Sequence, residues 1–277
     1  MRTDLFTIGK FTVHGYGFMI AIGFLLAILV AELRAKKYKL KDDTIIDIAI
    51  IAGIGGFLGA KVLYIIVEFD TFIKNPLGVL GSSGFVVYGG IIFGVLFNFL
   101  YCRLKHLNFL EYFDIVMPEI ALAQGFGRLG CFLAGCCYGE ETTSWFSVVF
   151  PESSLFAPSG VQLIPTQLIS SVFDFLNMVI LIVIAHQFGY TYWKNVRGED
   201  AKRKHIASGD IGFIYFITYG VGRFIIEFFR GDVRGSVGAL STSQFISVIM
   251  VILGVVLLIL NHKLIRGNYE RKGVETN

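Results

Sequence analysis

Two arginines stand inside apolar segments of this 277-residue sequence, where a charged side chain is costly. Arg223 continues the apolar run of residues 211–229, and Arg128 lies among apolar and small residues at 121–137. A charge near the centre of a bilayer costs at least ~2.5–3.5 kcal/mol, so such residues usually face a polar cavity and mark a functional site. Two arginines in such positions indicate an intramembrane site for an anionic group.

The segment around Arg223 carries four polar residues with helical spacing. Separated by four, four and three positions, they fall within about 80° on one face of an α-helix: Tyr219, Arg223, Glu227 and Arg230. On that face Arg223 and Glu227 are close enough to pair. One interpretation is an ion pair that only neutralises itself in the membrane. The other is an arginine aimed at a phosphate and held by Glu227, because the planar guanidinium matches phosphate geometry.

Glycine-rich stretches accompany two further candidate motifs. Residues 125–139 surround Arg128 with glycines, and Tyr88 precedes Gly89 and Gly90 at the start of another apolar run. Glycine permits close approach of backbones, and a small-residue surface for helix packing explains such stretches without any chemistry. Packing does not explain Arg128, so a binding function for residues 125–139 stays open.

Three neighbouring cysteines, Cys131, Cys136 and Cys137, raise the question of a metal site. Three thiols without a nearby histidine or fourth cysteine are weak evidence for zinc. Packing of small buried thiols is therefore the favoured interpretation, and we expect no metal and no other cofactor. Lys61 is a further cation in an apolar segment, and it either extends towards the membrane interface or joins the anion site.

The composition is that of an integral membrane protein. Hydrophobic residues make up 55% of the chain and charged residues 16%, whereas globular domains carry about 25% charged residues. A membrane-spanning helix needs ~20 mostly apolar residues, and seven segments qualify: Tyr16–Leu33, Thr44–Val67, Phe85–Tyr101, Phe113–Cys137, Gln167–His186, Ile211–Phe229 and Ser243–Asn261. We predict an all-α integral membrane protein with seven transmembrane helices and an intramembrane polar cavity. The fourth helix is expected to break near residues 125–130, where glycines cluster.

The distribution of basic residues predicts the orientation. With seven helices, sixteen of the 24 Lys and Arg residues fall in alternate loops on one side: Arg34, Lys36, Lys37, Lys39, Lys41, Arg103, Lys105, Lys194, Arg197, Lys202, Arg203, Lys204, Lys263, Arg266, Arg271 and Lys272. Cytoplasmic loops carry such an excess, so we place the N-terminus outside and the C-terminus inside. Residues 1–277 then form one transmembrane domain with an outer interfacial loop at about 138–166, a cytoplasmic loop at about 187–210 and a cytoplasmic tail at about 262–277.

Several motifs form a set that runs in order along most of the chain. The most specific is Tyr219-Gly-x-x-Arg223-Phe-x-x-Glu227-Phe-x-Arg230. The others are Thr12-Val13-His14-Gly15-Tyr16-Gly17, Gly89-Gly90, Gly127-Arg128-x-Gly130-x-Phe132 and Pro165-Thr166-Gln167-Leu168. Together they resemble the prolipoprotein diacylglyceryl transferase family, which implies seven transmembrane helices with the N-terminus outside and the C-terminus inside.

The resemblance implies transfer of the diacylglyceryl group from phosphatidylglycerol to the lipobox cysteine thiol of a prelipoprotein, with release of glycerol phosphate. The implied partners are phosphatidylglycerol, the prelipoprotein signal peptide and the lipid bilayer of a bacterial cytoplasmic membrane, with no nucleic acid. Arg128 and Arg223 match the family's essential arginines, and Tyr88 stands at the position of the usual proton acceptor. We expect substrate contacts from Tyr16, Lys61, Gly89, Gly90, Cys131, Gly139, Tyr219, Glu227 and Arg230.

Three positions depart from the family pattern. The family usually has His where this chain has Tyr88, Asn where it has Cys131, and an acidic residue where it has Cys136. These departures leave open a non-enzymatic or functionally diverged relative that binds anionic lipid. A lipid transporter is a third interpretation, which is less favoured because inverted-repeat transporters often contain paired broken helices and only one break is expected here.

Labelling of single cysteines tests the predicted orientation. In a background without the native cysteines, a cysteine placed between Lys194 and Lys204 is expected to resist an impermeant thiol reagent in intact cells, because this basic loop faces the cytoplasm. A cysteine at Ser153 is expected to react. The opposite labelling pattern contradicts the orientation, and recovery of both variants in the membrane fraction controls for expression.

Overall fold

The computed structural model describes residues 4–9, 11–152, 154, 156–197, 206–232 and 235–274. The backbone is mostly helical, with α1 (Gly15–Lys37), α2 (Asp43–Val67), α3 (Phe69–Lys74), α4 (Pro76–Gly81), α5 (Val87–Leu104), α6 (Phe109–Ala134), α7 (Thr166–Phe188), α8 (Tyr190–Tyr192), α9 (Asp210–Glu227) and α10 (Thr242–Val274). Short antiparallel pairs of strands accompany them: β1 (Asp4–Ile8) with β2 (Phe11–His14), β3 (Val148–Val149) with β4 (Gln162–Leu163), and β5 (Ser236–Val237) with β6 (Leu240–Ser241). The predicted cytoplasmic residues Lys202, Arg203 and Lys204, and the labelling position Ser153, lie outside the described residues.

Five helices in the described part of the chain are long and apolar enough to cross a membrane: α1, α2, α5, α7 and residues Thr242–Lys263 of α10. Their apolar side chains are widely exposed, as for Leu25 at 65% and Phe57 at 62%, which suits a surface covered by lipid. The chain is therefore mostly helical, and its apolar helices are consistent with a multi-pass membrane protein. Helices α6 and α9 differ from these five because they contain several charged residues; those of α9 are Asp210, Arg223 and Glu227. The position of α6 and α9 in the membrane stays a prediction.

The chain forms two compact units, one of residues Glu32–Tyr112 and the other of Met1–Ala31 together with Phe113–Asn277. Within the first unit, α2 packs along α5. Within the second, α9 packs against both α7 and α10. The second unit therefore brings together the helices that contain Arg223 and its neighbours.

Glycines set the close approach of α2 and α5. A Cβ atom added to Gly89 would clash with the carbonyl oxygen of Gly59, and one added to Gly90 would lie 2.8 Å from the carbonyl oxygen of Gly56. This is the small-residue packing that brings the backbones of membrane helices together. Gly89 and Gly90 thus have a structural function in addition to the substrate contact predicted for them.

The expected break in the fourth span is wrong, because α6 is continuous from Phe109 to Ala134. Its glycines accommodate neighbouring elements instead. The ring of Phe175 occupies the space beside Gly125, and a Cβ atom on Gly130 would lie 3.1 Å from the carbonyl oxygen of Tyr16. Each glycine costs a helix only ~1 kcal/mol relative to alanine, which the packing of these neighbours offsets.

The predicted outer loop has a small core of its own. Phe150 is 1% exposed and packs with Ala157 and Leu163, next to the pairing of β3 with β4. Trp145, by contrast, is 95% exposed. The loop therefore combines a buried aromatic residue that fixes its shape with an aromatic residue on its surface.

Replacing Gly89 with alanine is expected to destabilise the packing of α2 against α5. The added methyl group meets backbone atoms that cannot move aside, and overpacking of this kind costs about 1–3 kcal/mol. Thermal unfolding in detergent micelles measures the effect. Gly53→Ala in α2 is the matched control, because no atom lies within 4 Å of its added Cβ. Equal melting temperatures for both variants would contradict this account of the packing.

Candidate functional site

Arg223 is held by groups at the end of α9 and the start of α10. Its Nη2 atom lies 2.7 Å from Oε2 of Glu227, and the two side chains are only 10% and 3% exposed. The same nitrogen donates a hydrogen bond to the hydroxyl of Ser243 at 3.0 Å. The hydroxyl of Ser241 donates to Oε1 of Glu227 at 2.9 Å. Carboxylate and hydroxyl groups therefore fix the guanidinium on one of its edges.

Arg223 and Arg230 each have one nitrogen atom that makes no hydrogen bond to the described residues. Nη1 of Arg223 and Nη1 of Arg230 are buried and have no hydrogen-bond partner within the described structure. A buried donor without a partner costs about 1–3 kcal/mol, and more when it is charged, so such groups are rare in native proteins. Each of these nitrogens is able to donate a hydrogen bond to an oxygen atom of an anion.

Arg230 lies outside the helical face that the spacing predicted, because α9 ends at Glu227. Its backbone forms a bridge with Gly139. Its side chain binds Asp232 through two hydrogen bonds, from Nε at 2.8 Å and from Nη2 at 2.9 Å. Its positive charge nevertheless acts on Arg223, so the residue belongs to the same charged region.

A short ladder of backbone hydrogen bonds positions Arg230. It joins residues 138–140, 163–164 and 229–231: Gly139 N donates to Ile164 O at 2.9 Å, Glu140 N to Phe229 O at 3.0 Å, and Gly231 N to Tyr138 O at 3.2 Å. A Cβ atom on Gly139 would lie 2.7 Å from the carbonyl oxygens of both Ile164 and Phe229. Glycine is therefore required at position 139 for these three backbone segments to meet.

Arg128, on α6, joins the same region. The groups that act electrostatically on it are Tyr219, Cys131, Asp174 and Cys137, and Arg128 and Arg230 both act on Arg223. We call Arg128, Arg223 and Arg230 the arginine cluster. The structure thus brings together cations that lie about 100 positions apart in the sequence.

Asp174 on α7 is a member of the site that the sequence analysis missed. It is 2% exposed, and the charges of Arg128 and Arg223 act on it. Its sequence signal was a single acidic residue within the otherwise apolar segment Gln167–His186. A buried carboxyl group between two guanidinium groups reduces their mutual repulsion.

Two of the predicted tyrosines border the arginine cluster. Tyr219 stacks on Tyr215 with ring centroids 5.6 Å apart, and the hydroxyl of Tyr215 donates to Oε1 of Gln124 at 2.7 Å. Tyr16, in the first turn of α1, is 46% exposed and lies in the electrostatic neighbourhood of Arg128. A contact of Tyr16 or Tyr219 with a bound substrate remains a prediction.

Lys61 on α2 is occupied by the segment that leads into α5. Its Nζ atom donates to the carbonyl oxygens of Ser82 at 2.8 Å and Gly84 at 3.3 Å. The ring centroids of Phe85 and Tyr64 lie 4.9 Å and 5.2 Å from the same atom. These contacts make Lys61 an anchor for the turn before α5.

Tyr88, Gly89 and Gly90 form the first turn of α5, and Tyr88 is 48% exposed. They belong to the unit Glu32–Tyr112, whereas the arginine cluster belongs to the other unit. The meeting of Tyr88 with the arginine cluster therefore remains a prediction.

Comparisons with known proteins agree with these motifs. The sequence profile of the prolipoprotein diacylglyceryl transferase family matches residues 3–260. A phosphatidylglycerol--prolipoprotein diacylglyceryl transferase of Clostridium tetani (strain Massachusetts / E88) is 47% identical over 92% of this chain and 96% of its own. The protein of that name numbered 2 in Clostridium perfringens (strain 13 / Type A) is 43% identical over 94% and 96%. This chain is thus a member of the prolipoprotein diacylglyceryl transferase family.

Proposed function

We propose that this protein transfers the diacylglyceryl group of phosphatidylglycerol to the lipobox cysteine thiol of a prelipoprotein, forming a thioether and releasing glycerol phosphate. The names of its relatives contain both phosphatidylglycerol and prolipoprotein. The observation that carries the proposal is the pair of buried, unpartnered Nη1 atoms on Arg223 and Arg230. A phosphodiester headgroup offers oxygen atoms to these donors and a negative charge to the arginine cluster.

Arg128 and Arg223 bind the phosphate and stabilise the charge that develops as the carbon–oxygen bond to the phosphate breaks. Glu227 and Ser243 already orient Arg223, so the donor needs little reorganisation when the charge appears, which is how such groups lower a barrier. The attacking sulfur must be a thiolate, and positive charges nearby lower the pKa of a thiol. The arginine cluster therefore assists both the leaving group and the nucleophile.

The proposal includes further substrate contacts. Those near the arginine cluster are Tyr16, Cys131, Gly139, Tyr219, Glu227 and Arg230. Those in the unit Glu32–Tyr112 are Lys61, Gly89 and Gly90, with Tyr88 as a proton acceptor or as a hydrogen-bond partner of the lipid glycerol. Lys61 contributes by fixing the turn before α5, and Glu227 contributes by fixing Arg223.

The protein acts as one transmembrane domain, residues 1–277, in the cytoplasmic membrane of a bacterium. In this proposal α6 and α9 join the five apolar helices to give seven transmembrane helices, with the N-terminus outside and the C-terminus inside. The proximity of Arg128 on α6 to Arg223 on α9 supports this arrangement, because charged residues in a membrane face other protein groups instead of lipid.

One feature favours a second candidate function, a relative that binds anionic lipid without catalysis. Tyr88 replaces the histidine that the family usually has at this position. A phenol is a poorer proton acceptor than an imidazole. This candidate keeps the anion site at the arginine cluster and predicts no lipidated product.

The transferase function is tested with purified protein, labelled phosphatidylglycerol and a peptide that contains a lipobox cysteine. Peptide lipidation accompanied by an equal amount of glycerol phosphate supports the transferase. Lipid binding without lipidation supports the second candidate. A peptide with serine in place of the cysteine is the matched control, since it has no thiol to alkylate.

Arg128→Ala and Arg223→Ala are each expected to lower the lipidation rate by at least ~10²–10³, the usual effect of removing a preorganised donor. Arginine-to-lysine variants should recover little activity wherever the guanidinium binds the phosphate with two nitrogens. Arg103→Ala is the control, because this exposed arginine at the end of α5 is outside the cluster. Near-normal turnover in both alanine variants would refute the phosphate assignment.

Tyr88→Phe is expected to lower the lipidation rate, because it removes the hydroxyl that accepts a proton or binds the lipid glycerol. Tyr88→His should retain part of the activity, because it restores the residue that the family usually has there. Lipidation and phosphatidylglycerol binding are measured side by side for both variants. Full activity of Tyr88→Phe would exclude Tyr88 from the reaction.

A further inference from the structure

Three thiols converge at the end of α6. Cys131 lies in the last turn of the helix, and Cys136 and Cys137 follow the helix end. Their three Sγ atoms all lie within 4.8 Å of one another, and each residue is partly buried. We call these three residues the thiol cluster. The sequence alone favours a packing role for these cysteines, and it does not show that their sulfur atoms meet at one point.

The backbone is bent so that the thiols meet. After Ala134 the chain turns through Gly135 and Cys137, whose φ angles are 74° and 66°. Cysteine rarely adopts this left-handed conformation, which costs roughly 1–2 kcal/mol for a residue with a Cβ atom. The turn also lets the Cys136 backbone N–H donate to the carbonyl oxygen of Cys131 at 3.1 Å. Simple packing of small residues does not require such a conformation.

Two buried side chains of α7 hold the turn in place. The amide Nε2 of Gln167 donates to the carbonyl oxygen of Cys136 at 2.7 Å. The hydroxyl of Thr166 donates to the carbonyl oxygen of Cys137 at 2.8 Å. Both side chains are 0% exposed. The positions of Cys136 and Cys137 are therefore fixed by the fold.

Arg128 and Arg230 place positive charge near the thiol cluster. Thiolates, and not thiols, are the form that binds metal ions. Three thiolates and one divalent cation together carry a single negative charge, which the neighbouring arginines balance.

We propose that the thiol cluster binds one zinc ion and that this ion coordinates the acceptor thiol. Zn–S bonds of about 2.3 Å in a tetrahedral site separate the sulfur atoms by roughly 3.8 Å, and the Sγ atoms of the thiol cluster all lie within 4.8 Å of one another. Among the described residues, no fourth His, Cys, Asp or Glu joins the group. Three protein ligands with one open position are typical of catalytic zinc.

The step at this site rests on the proposed transferase function. Held by Cys131, Cys136 and Cys137, zinc would lower the pKa of an acceptor thiol that reaches its open position, and the thiol proton would pass to water. Its sulfur forms a bond to the glyceryl carbon while the bond from that carbon to the phosphate oxygen breaks. The phosphate leaves with the electron pair and is held by Arg128 and Arg223.

Metal coordination would also account for all three departures from the family pattern. Cys131 and Cys136 supply ligands in place of an amide and a carboxylate. A thiol that is deprotonated by coordination needs no histidine at position 88. Tyr88 then acts as the hydrogen-bond partner of the lipid glycerol.

Metal analysis of the full chain tests this proposal independently of activity. The protein is purified in detergent under anaerobic, reducing conditions, loaded with Zn²⁺, desalted and measured by mass spectrometry of its bound metals. Wild type is expected to retain roughly one zinc ion per chain, and Cys131→Ser, Cys136→Ser and Cys137→Ser are each expected to lose it. Cys102→Ser is the matched control, since this buried cysteine of α5 is outside the thiol cluster and its variant should retain zinc.

Replacement of zinc by Co²⁺ provides a second readout on folded wild-type protein. Thiolate-to-cobalt absorption bands are expected in wild type and in Cys102→Ser. Wild type that retains no zinc after loading, or that retains copper instead, overturns the proposal. So does zinc that remains in all three serine variants of the thiol cluster.

Parallel lipidation assays separate this proposal from the transferase function. We expect protein stripped by a chelator to lose lipidation and to recover it when zinc is added. Equal activity with and without zinc overturns the coordination of the acceptor thiol and leaves the transferase function standing. Bound zinc without lipidation in any preparation supports the metal site and overturns the transferase function.

Discussion

The ion pair between Arg223 and Glu227 is the interaction on which the rest of the site depends. Both side chains are almost completely buried, and removing one partner of a buried pair typically costs about 3–5 kcal/mol. The pair engages Nη2 of the guanidinium and leaves Nη1 unpartnered. Charge compensation and ligand binding therefore use different atoms of the same side chain. The two interpretations of this pair that the sequence allowed are compatible.

The same division extends to the other arginines of the cluster. Asp232 binds two nitrogens of Arg230 and leaves its Nη1 without a partner. Asp174 acts on Arg128 and Arg223. Acidic groups thus balance part of the positive charge of the cluster, while Nη1 of Arg223 and Nη1 of Arg230 stay unpartnered among the described residues. In the proposed function, the acidic groups serve membrane insertion and the unpartnered donors serve phosphate recognition.

Local periodicity predicted the parts of the site that depend on a single helix. Tyr219, Arg223 and Glu227 do share a face of α9, because the spacing of a helix is set by its own backbone. Arg230 was misplaced, since the end of α9 depends on hydrogen bonds to Gly139 and its neighbours, about 90 positions earlier. Such pairing has no local signature in the sequence.

Glycine was the other source of error. The sequence shows that Gly125 has no side chain, but it does not show which residue occupies the space beside it. In the structure that space is filled by the ring of Phe175. Asp174 was missed for a related reason. Its role arises from the packing of α7 against α9, which a single apolar segment does not reveal.

The ladder that joins residues 138–140, 163–164 and 229–231 has a mechanical consequence. Its hydrogen bonds connect the outer loop directly to the backbone of Arg230, with no flexible linker between them. Glycine at position 139 keeps this connection short, as a longer side chain would push the strands apart. A displacement of residues 138–140 would therefore act on the backbone segment that carries the Arg230 guanidinium group.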